Sequence, residues 1–263
     1  MNNRQGFRLG LRAYGQAISF MFRNQLGGYF IFPILFNVLL FILGLWSVSA
    51  LSDDLVMALT NVMDGEAWDF WGASWLLAII KGLVWLVLRL MFFIFYAYVG
   101  GYLIIILLSP VFALLSEKTE EIITGRKIPF DFRQFISDIM RGVLLALRNL
   151  AVELGLTLML IILSFVPLIG YFTPLALFLV SAYFYGFSFL DYTFERKRFK
   201  LDYSVRFMRR NRGLAVGSGF VFSLVLLIPY VGVMLAGFVS IVSVVAATLA
   251  ATEALEKEQG LGV

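Results

Sequence analysis

Three observations predict an all-α integral membrane protein, built from two long transmembrane helices, two re-entrant helical hairpins broken at Pro and Gly, and a cytoplasmic helical layer. First, 61% of the 263 residues are hydrophobic and only 14% are charged, and the mean hydropathy is +0.90. Soluble domains average about 45–50% apolar and about 25% charged. Second, the chain contains four uncharged stretches, at 24–52, 90–116, 154–190 and 213–252. Third, the last two are interrupted by the same element, Phe-Val-Pro-Leu-Ile-Gly at 165–170 and Leu-Ile-Pro-Tyr-Val-Gly at 227–232.

The elements follow in order along a single membrane domain spanning 1–263. Residues 1–23 carry Arg4, Arg8 and Arg12 at every fourth position, with Phe7, Leu11, Tyr14 and Ile18 between them. This reads as an amphipathic helix on the inner leaflet, where basic side chains meet anionic lipid. The first 25 residues contain no apolar core followed by a small-residue cleavage site, so the first apolar segment is expected to stay in the mature chain. A crossing of about 30 Å of hydrocarbon needs about 20 helical residues. The run 24–52 is long enough for one span, with Pro33 near its end, where a kink is tolerated. The second span is read over 71–116. Upstream of residue 90 its apolar pattern is broken only by Lys81 and Arg89, which share a helical face and suit snorkelling beside Trp68, Trp71, Trp75 and Trp85.

Segment 117–153 alternates charges with apolar residues at helical spacing. It predicts a helix leaving the membrane, a turn at Gly125–Pro129 and a second helix leading back. Its six acids balance its six bases, which fits a self-satisfied helical layer and not a nucleic-acid surface. Segment 191–212 has eight bases against three acids. It is either a topology determinant at the headgroups or a vestibule attracting anions.

The runs 154–190 and 213–252 hold 37 and 40 residues, too long for one span and short for two. Pro-x-x-Gly is turn chemistry, so Pro167, Gly170, Pro229 and Gly232 are the expected hairpin turns. The uncharged arms of the first hairpin, 154–166 and 175–190, reach only about 20–24 Å. That favours hairpins that enter the bilayer and turn back, with two tilted crossings per run as the alternative. Broken hydrophobic segments recurring in one chain also mark a transporter's substrate path.

The loop 53–69 holds Asp53, Asp54, Asp64, Glu66 and Asp69 and no base, so it belongs outside, whereas both termini and the basic segments belong in the cytoplasm. With no Cys and no His, disulfides, thiolate nucleophiles, imidazole bases and the usual zinc sites are excluded. No phosphate-binding glycine loop, catalytic serine arrangement or metal-ligand cluster is present in the sequence, so neither an enzyme nor a cofactor is expected.

Four stretches, SPVFALLSEKTEEIITGR (109–126), FVPLIGYFTPLALFLVSAYFYGFSFLDYTFE (165–195), RFMRRNRGLAVGSGF (206–220) and LIPYVGVMLAGFVSIVSVVAAT (227–248), resemble the bacterial CysZ-type sulfate permease and etoposide-induced membrane protein family. Their order and spacing match that family over nearly the whole chain. The resemblance implies two long membrane helices with two partly inserted hairpins, assembly as dimers or larger homo-oligomers, and passive or proton-linked sulfate uptake at the inner membrane for cysteine synthesis. It also implies a sulfate-binding element at the start of the first membrane helix. The family's arginine pair there falls on Gly27 and Gly28 when aligned on Pro33. The remaining candidates for holding sulfate or a related oxyanion are Arg23, Asn24 and Gln25 with the backbone amides up to Gly28. Glu117, Lys118, Asp191, Arg206, Arg209 and Arg210 are the expected polar residues of the path, with Glu117 and Asp191 equally readable as structural partners of arginines. A non-transporting membrane organiser, whose basic strip holds lipid headgroups, is the alternative function.

Overall fold

The computed structural model describes residues 2–36, 106–125, 132–228 and 231–258, with shorter stretches and single positions between 38 and 103. Every labelled element among them is helical: α1 (Asn3–Arg23), a 3-10 turn (Leu26–Phe30), α2 (Ser109–Thr124), α3 (Phe132–Leu163), α4 (Pro167–Arg196), α5 (Leu201–Arg210), α6 (Arg212–Leu226) and α7 (Val231–Glu258). Three of them, at 132–163, 167–196 and 234–258, are long and apolar enough to cross a membrane. The chain is a membrane protein by this measure. Residues 1–34 with 101–263 form one compact unit, and 35–100 form another. In the second, Ala78–Val87 is an apolar helix carrying Lys81, and Trp75 and Trp85 are exposed. Trp68, Trp71, Arg89, most of the loop 53–69, Pro129 and Pro229 lie outside the described residues.

Local chemistry sets the helix ends. The Asn2 backbone N–H donates to Gln5 Oε1 at 3.3 Å at the start of α1. At its end the Asn24 side-chain amide donates to the Phe20 carbonyl at 2.8 Å. Pro110 opens α2 in its first turn, and Gly125 closes it at φ 67, a left-handed conformation that glycine adopts without strain. Thus the turn expected from Gly125 begins there, and α3 takes up the chain at Phe132. Asp202 in the first turn of α5 and Arg209 and Arg210 in its last complement the helix dipole.

The centre of the larger unit is α6, which packs on α4 and α1 and touches α7. Its small residues permit close approach, the usual substitute for a hydrophobic drive between membrane helices. On one side Gly213 and Gly217 face α1 backbone at Asn3 and Phe7, while on the other Gly219 faces Ala182 of α4. A Cβ at Gly186 of α4 would overlap the Ala215 carbonyl. The Tyr14 hydroxyl then ties α1 to both neighbours, donating to the Ser218 carbonyl with Ser243 Oγ 2.9 Å away. Edge-to-face rings fill the interior: Phe189 and Tyr185 against Phe222, and Phe112 against Phe189 and Tyr192. The apolar face of α1, including Leu9, Ala13, Tyr14, Ala17 and Met21, is buried against α6 and α7, while Arg4, Arg8 and Arg12 are exposed.

Two boundaries differ from the sequence reading. The first hairpin bends at 164–166, so that Pro167 begins α4 and Gly170 is already helical. Proline is favoured in a first helical turn because its missing N–H has no partner to lose. Gly170 serves instead as a close-packing position, since a Cβ there would stand 2.6 Å from the Ser164 carbonyl oxygen. Gly232 likewise lies inside α7, its N–H donating to the Ile228 carbonyl at 2.8 Å. The arms are also longer than their uncharged cores. The 32 residues of α3 and 30 of α4 continue through Arg141 and Asp191, because charged side chains that find partners do not end a helix.

Candidate functional site

At the end of α1 the chain turns through Gln25, held at φ 55, into the 3-10 turn. This bend sits between two cavities. The larger, about 710 Å³, is lined by Gly15, Gln16, Ser19, Phe20, Arg23 and Asn24 of α1's end, with Ile122 of α2 and Leu249 and Glu253 of α7. The smaller, about 300 Å³, is mostly apolar and includes Gln25, Gly27 and Gly28 beside Met21, Phe22 and Val242. The structure therefore divides the five predicted anion residues, Arg23 and Asn24 in one cavity and Gln25, Gly27 and Gly28 in the other.

The larger cavity has an asymmetric electrostatic lining. Its acid, Glu253, accepts from Arg12 at 2.7 Å and from Lys257 at 2.7 Å, so its charge is matched twice over. Arg23 has no carboxylate partner among the described residues. With the neutral Gln16, Ser19 and Asn24 beside it, the wall presents one uncommitted guanidinium and several hydrogen-bonding groups. This suits a tetrahedral oxyanion, to which guanidinium donates in a planar fork.

At Gly27 and Gly28 a Cβ would meet no described atom within 4 Å. Among the described residues, therefore, nothing crowds a larger side chain at either position.

The remaining predicted residues are not gathered at one place. Asp191 is 2% exposed and receives two hydrogen bonds of 3.0 Å from Arg141, whose Nη2 also donates to Ser204. Glu195, one turn on, lies 3.7 Å from the same guanidinium. Lys118 pairs with Glu121 at 2.8 Å, and that hydrogen bond holds its ammonium pKa above the usual lysine range. The Glu117 carbonyl is 3.5 Å from Arg196 Nη2. Arg206, Arg209 and Arg210 are exposed on α5.

Sequence reading missed the polar seam between α3 and α4. Arg141, Asn149, Glu153 and Thr157 recur at multiples of four along α3 and so share a face. Asn149 Nδ2 donates to Ser188 Oγ at 2.9 Å, Ser181 donates to Glu153, and Glu153 is 2% exposed. It also missed Glu120, which Arg196 and Lys197 reach at 2.7 and 3.2 Å. The spacing of four was available in the sequence, whereas the pairing across helices was not.

The chain is similar in sequence to proteins of one described family. The family described as Sulfate transporter CysZ/Etoposide-induced protein 2.4 matches residues 13–236. A protein named Sulfate transporter CysZ from Vibrio parahaemolyticus is 26% identical over 231 residues, covering 87% of this chain and 89% of that protein. One of the same name from Pseudomonas aeruginosa is 25% identical over 229 residues, covering 84% and 87%. Another, from Pectobacterium atrosepticum, is 23% identical over 208 residues, covering 78% and 72%.

Proposed function

The chain belongs to the Sulfate transporter CysZ/Etoposide-induced protein 2.4 family, and from that premise we propose that it carries sulfate, or a related tetrahedral oxyanion, across a bacterial inner membrane. The observation that carries this reading is the cavity at the end of α1, where Arg23 has no carboxylate partner among the described residues and Glu253 is already matched by Arg12 and Lys257. An anion entering there gains a guanidinium and neutral hydrogen-bond donors without meeting an unbalanced carboxylate. Sulfate is the proposed substrate because the relatives are named sulfate transporters.

The proposed topology places both termini in the cytoplasm, with the two hairpins entering the bilayer from that side and turning back within it. Three features support it. The turn at 164–166 satisfies its own backbone, with the N–H groups of Ser164, Phe165 and Val166 donating to carbonyls of the preceding turn, as a bend inside hydrocarbon requires. Its tip is apolar and bare: Phe165, Leu168 and Tyr171 are 84%, 77% and 89% exposed. The 15 residues of α6 span about 22 Å, less than the about 30 Å of a hydrocarbon core. Lipid and further copies of the chain would cover these apolar faces.

Radiolabelled sulfate flux into proteoliposomes tests the function, with a lipid-scrambling assay on the same preparation. Transport predicts sulfate uptake without scrambling, and scrambling without uptake overturns it. Isothermal titration of Arg23→Ala should show weakened sulfate binding, and an unchanged constant removes the α1 cavity as the site.

A further inference from the structure

We infer that the α1 cavity selects an oxyanion that carries a proton, hydrogen phosphate being the simplest, over one that carries none, and that Glu253 is the selecting residue. This rests on the reading of that cavity as an anion site and narrows the class of anion it holds.

The cavity wall fixes which groups can reach an occupant. Leu249 and Glu253 stand four residues apart on α7, so they share a face, and both line the cavity with Gln16, Ser19, Arg23 and Asn24. An ionised carboxylate offers about four acceptor positions, two on each oxygen. Three are filled at Glu253: Arg12 Nη2 donates to Oε1 at 2.9 Å and to Oε2 at 2.7 Å, and Lys257 Nζ donates to Oε1 at 2.7 Å. One position on Oε2 is left, on a side chain 31% exposed at the cavity wall.

Neutral acceptors stand with it. Ser19 Oγ donates its one proton to the Gly15 carbonyl at 3.3 Å, and Asn24 Nδ2 donates to the Phe20 carbonyl at 2.8 Å. The Ser19 and Asn24 side-chain oxygens therefore remain as acceptors. The donors are the Arg23 guanidinium and the Gln16 amide, neither of them spent on a partner among the described residues.

Such a lining is two-sided, and sulfate can satisfy only one side of it. Sulfate has acceptor oxygens alone, so an oxygen turned toward Glu253 meets a carboxylate lone pair with no proton between them. Hydrogen phosphate has the same tetrahedral shape and the same charge, with one O–H to donate, and an O–H···O⁻ bond is about twice as strong as a neutral one. Arg12 and Lys257 offset the charge of Glu253 but place no proton on its remaining position. The offset charge admits a dianion, and the unfilled acceptor discriminates between dianions, because a site built to bond an O–H disfavours the analogue that lacks it.

The full chain in detergent is titrated with sulfate, selenate, inorganic phosphate and arsenate at constant ionic strength, at a pH where the last two are hydrogen-bearing dianions. The parent should bind phosphate and arsenate at least about tenfold tighter than sulfate and selenate. Glu253→Gln, shown to be folded by thermal melting, should cut that preference at least about tenfold, since Arg12 and Lys257 are released toward any anion while the carboxylate acceptor is lost. A Glu253 acting through its charge alone would, on substitution, raise all four affinities alike, and a merely structural one would lower them alike. Either result leaves the preference intact and overturns the inference. A parent that binds sulfate as tightly as phosphate also overturns it, in a comparison that needs no variant. Failure of the cavity as an anion site has its own mark: Arg23→Ala then leaves every constant as it was, and selection by Glu253 falls with it.

Discussion

Arg141 grips Asp191 through two hydrogen bonds of 3.0 Å across 50 residues of sequence, joining α3 to the C-terminal half of α4. The acid is 2% exposed and the base 20%, so solvent screens the pair little. Glu120 makes the complementary contact with Arg196 and Lys197, so one short stretch of α4 is clamped to α3 by its acids and to α2 by its bases.

Arg141→Ala should destabilise the protein by about 3 kcal/mol, because it leaves a buried carboxylate unmatched. The double variant Arg141→Met with Asp191→Leu should recover most of that loss, since it removes both charges. Thermal unfolding in detergent measures both, and a single variant as stable as the parent would show that the pair contributes nothing.

Gly186→Val should cost about 2 kcal/mol or more, as the added carbons drive into the Ala215 carbonyl and separate α4 from α6. Gly15→Ala is the matched control: its Cβ meets no described atom within 4 Å, and alanine favours a helix interior by about 0.8–1.0 kcal/mol. Size-exclusion profile and melting temperature should move in opposite directions for the two.

Gly27→Arg with Gly28→Arg should tighten sulfate binding at least about tenfold, because the structure leaves room at both positions and supplies no other base in that 3-10 turn. Titration calorimetry reads the gain directly. Unaltered affinity would mean that sulfate does not reach the smaller cavity beside Gly27 and Gly28.

A cysteine at Leu168 should resist an impermeant thiol reagent applied from either side of sealed vesicles, while one at Arg210 should label from the cytoplasmic side only. Ready labelling of Leu168→Cys from outside would require the first hairpin to cross fully.

The all-helical membrane class was legible in the sequence, since membrane helices announce themselves through long apolar runs and the absence of charge. Gly125 marked the end of α2 because only glycine takes that backbone conformation freely. Pro167 was read as mid-turn although it opens α4, since Pro-x-x-Gly reports that a bend is near without fixing which residue leads the next helix. Site residues were harder to place. Arg23 and Asn24 do line a cavity, but α7's Glu253 and α2's Ile122 complete it from the far side of the sequence. No local pattern in residues 16–24 could have indicated that Glu253 would already be neutralised by Arg12.

The glycine-faced crossing of α1 on α6 also bears on biosynthesis. Asn3 and Phe7 lie against Gly213 and Gly217, so α1 finds this partner only after some two hundred further residues have been made. Until then the apolar face of α1 is unsheltered. A nascent chain arrested before Gly213 should therefore be prone to degradation or association with other chains, and completion of α6 should act as the checkpoint of assembly.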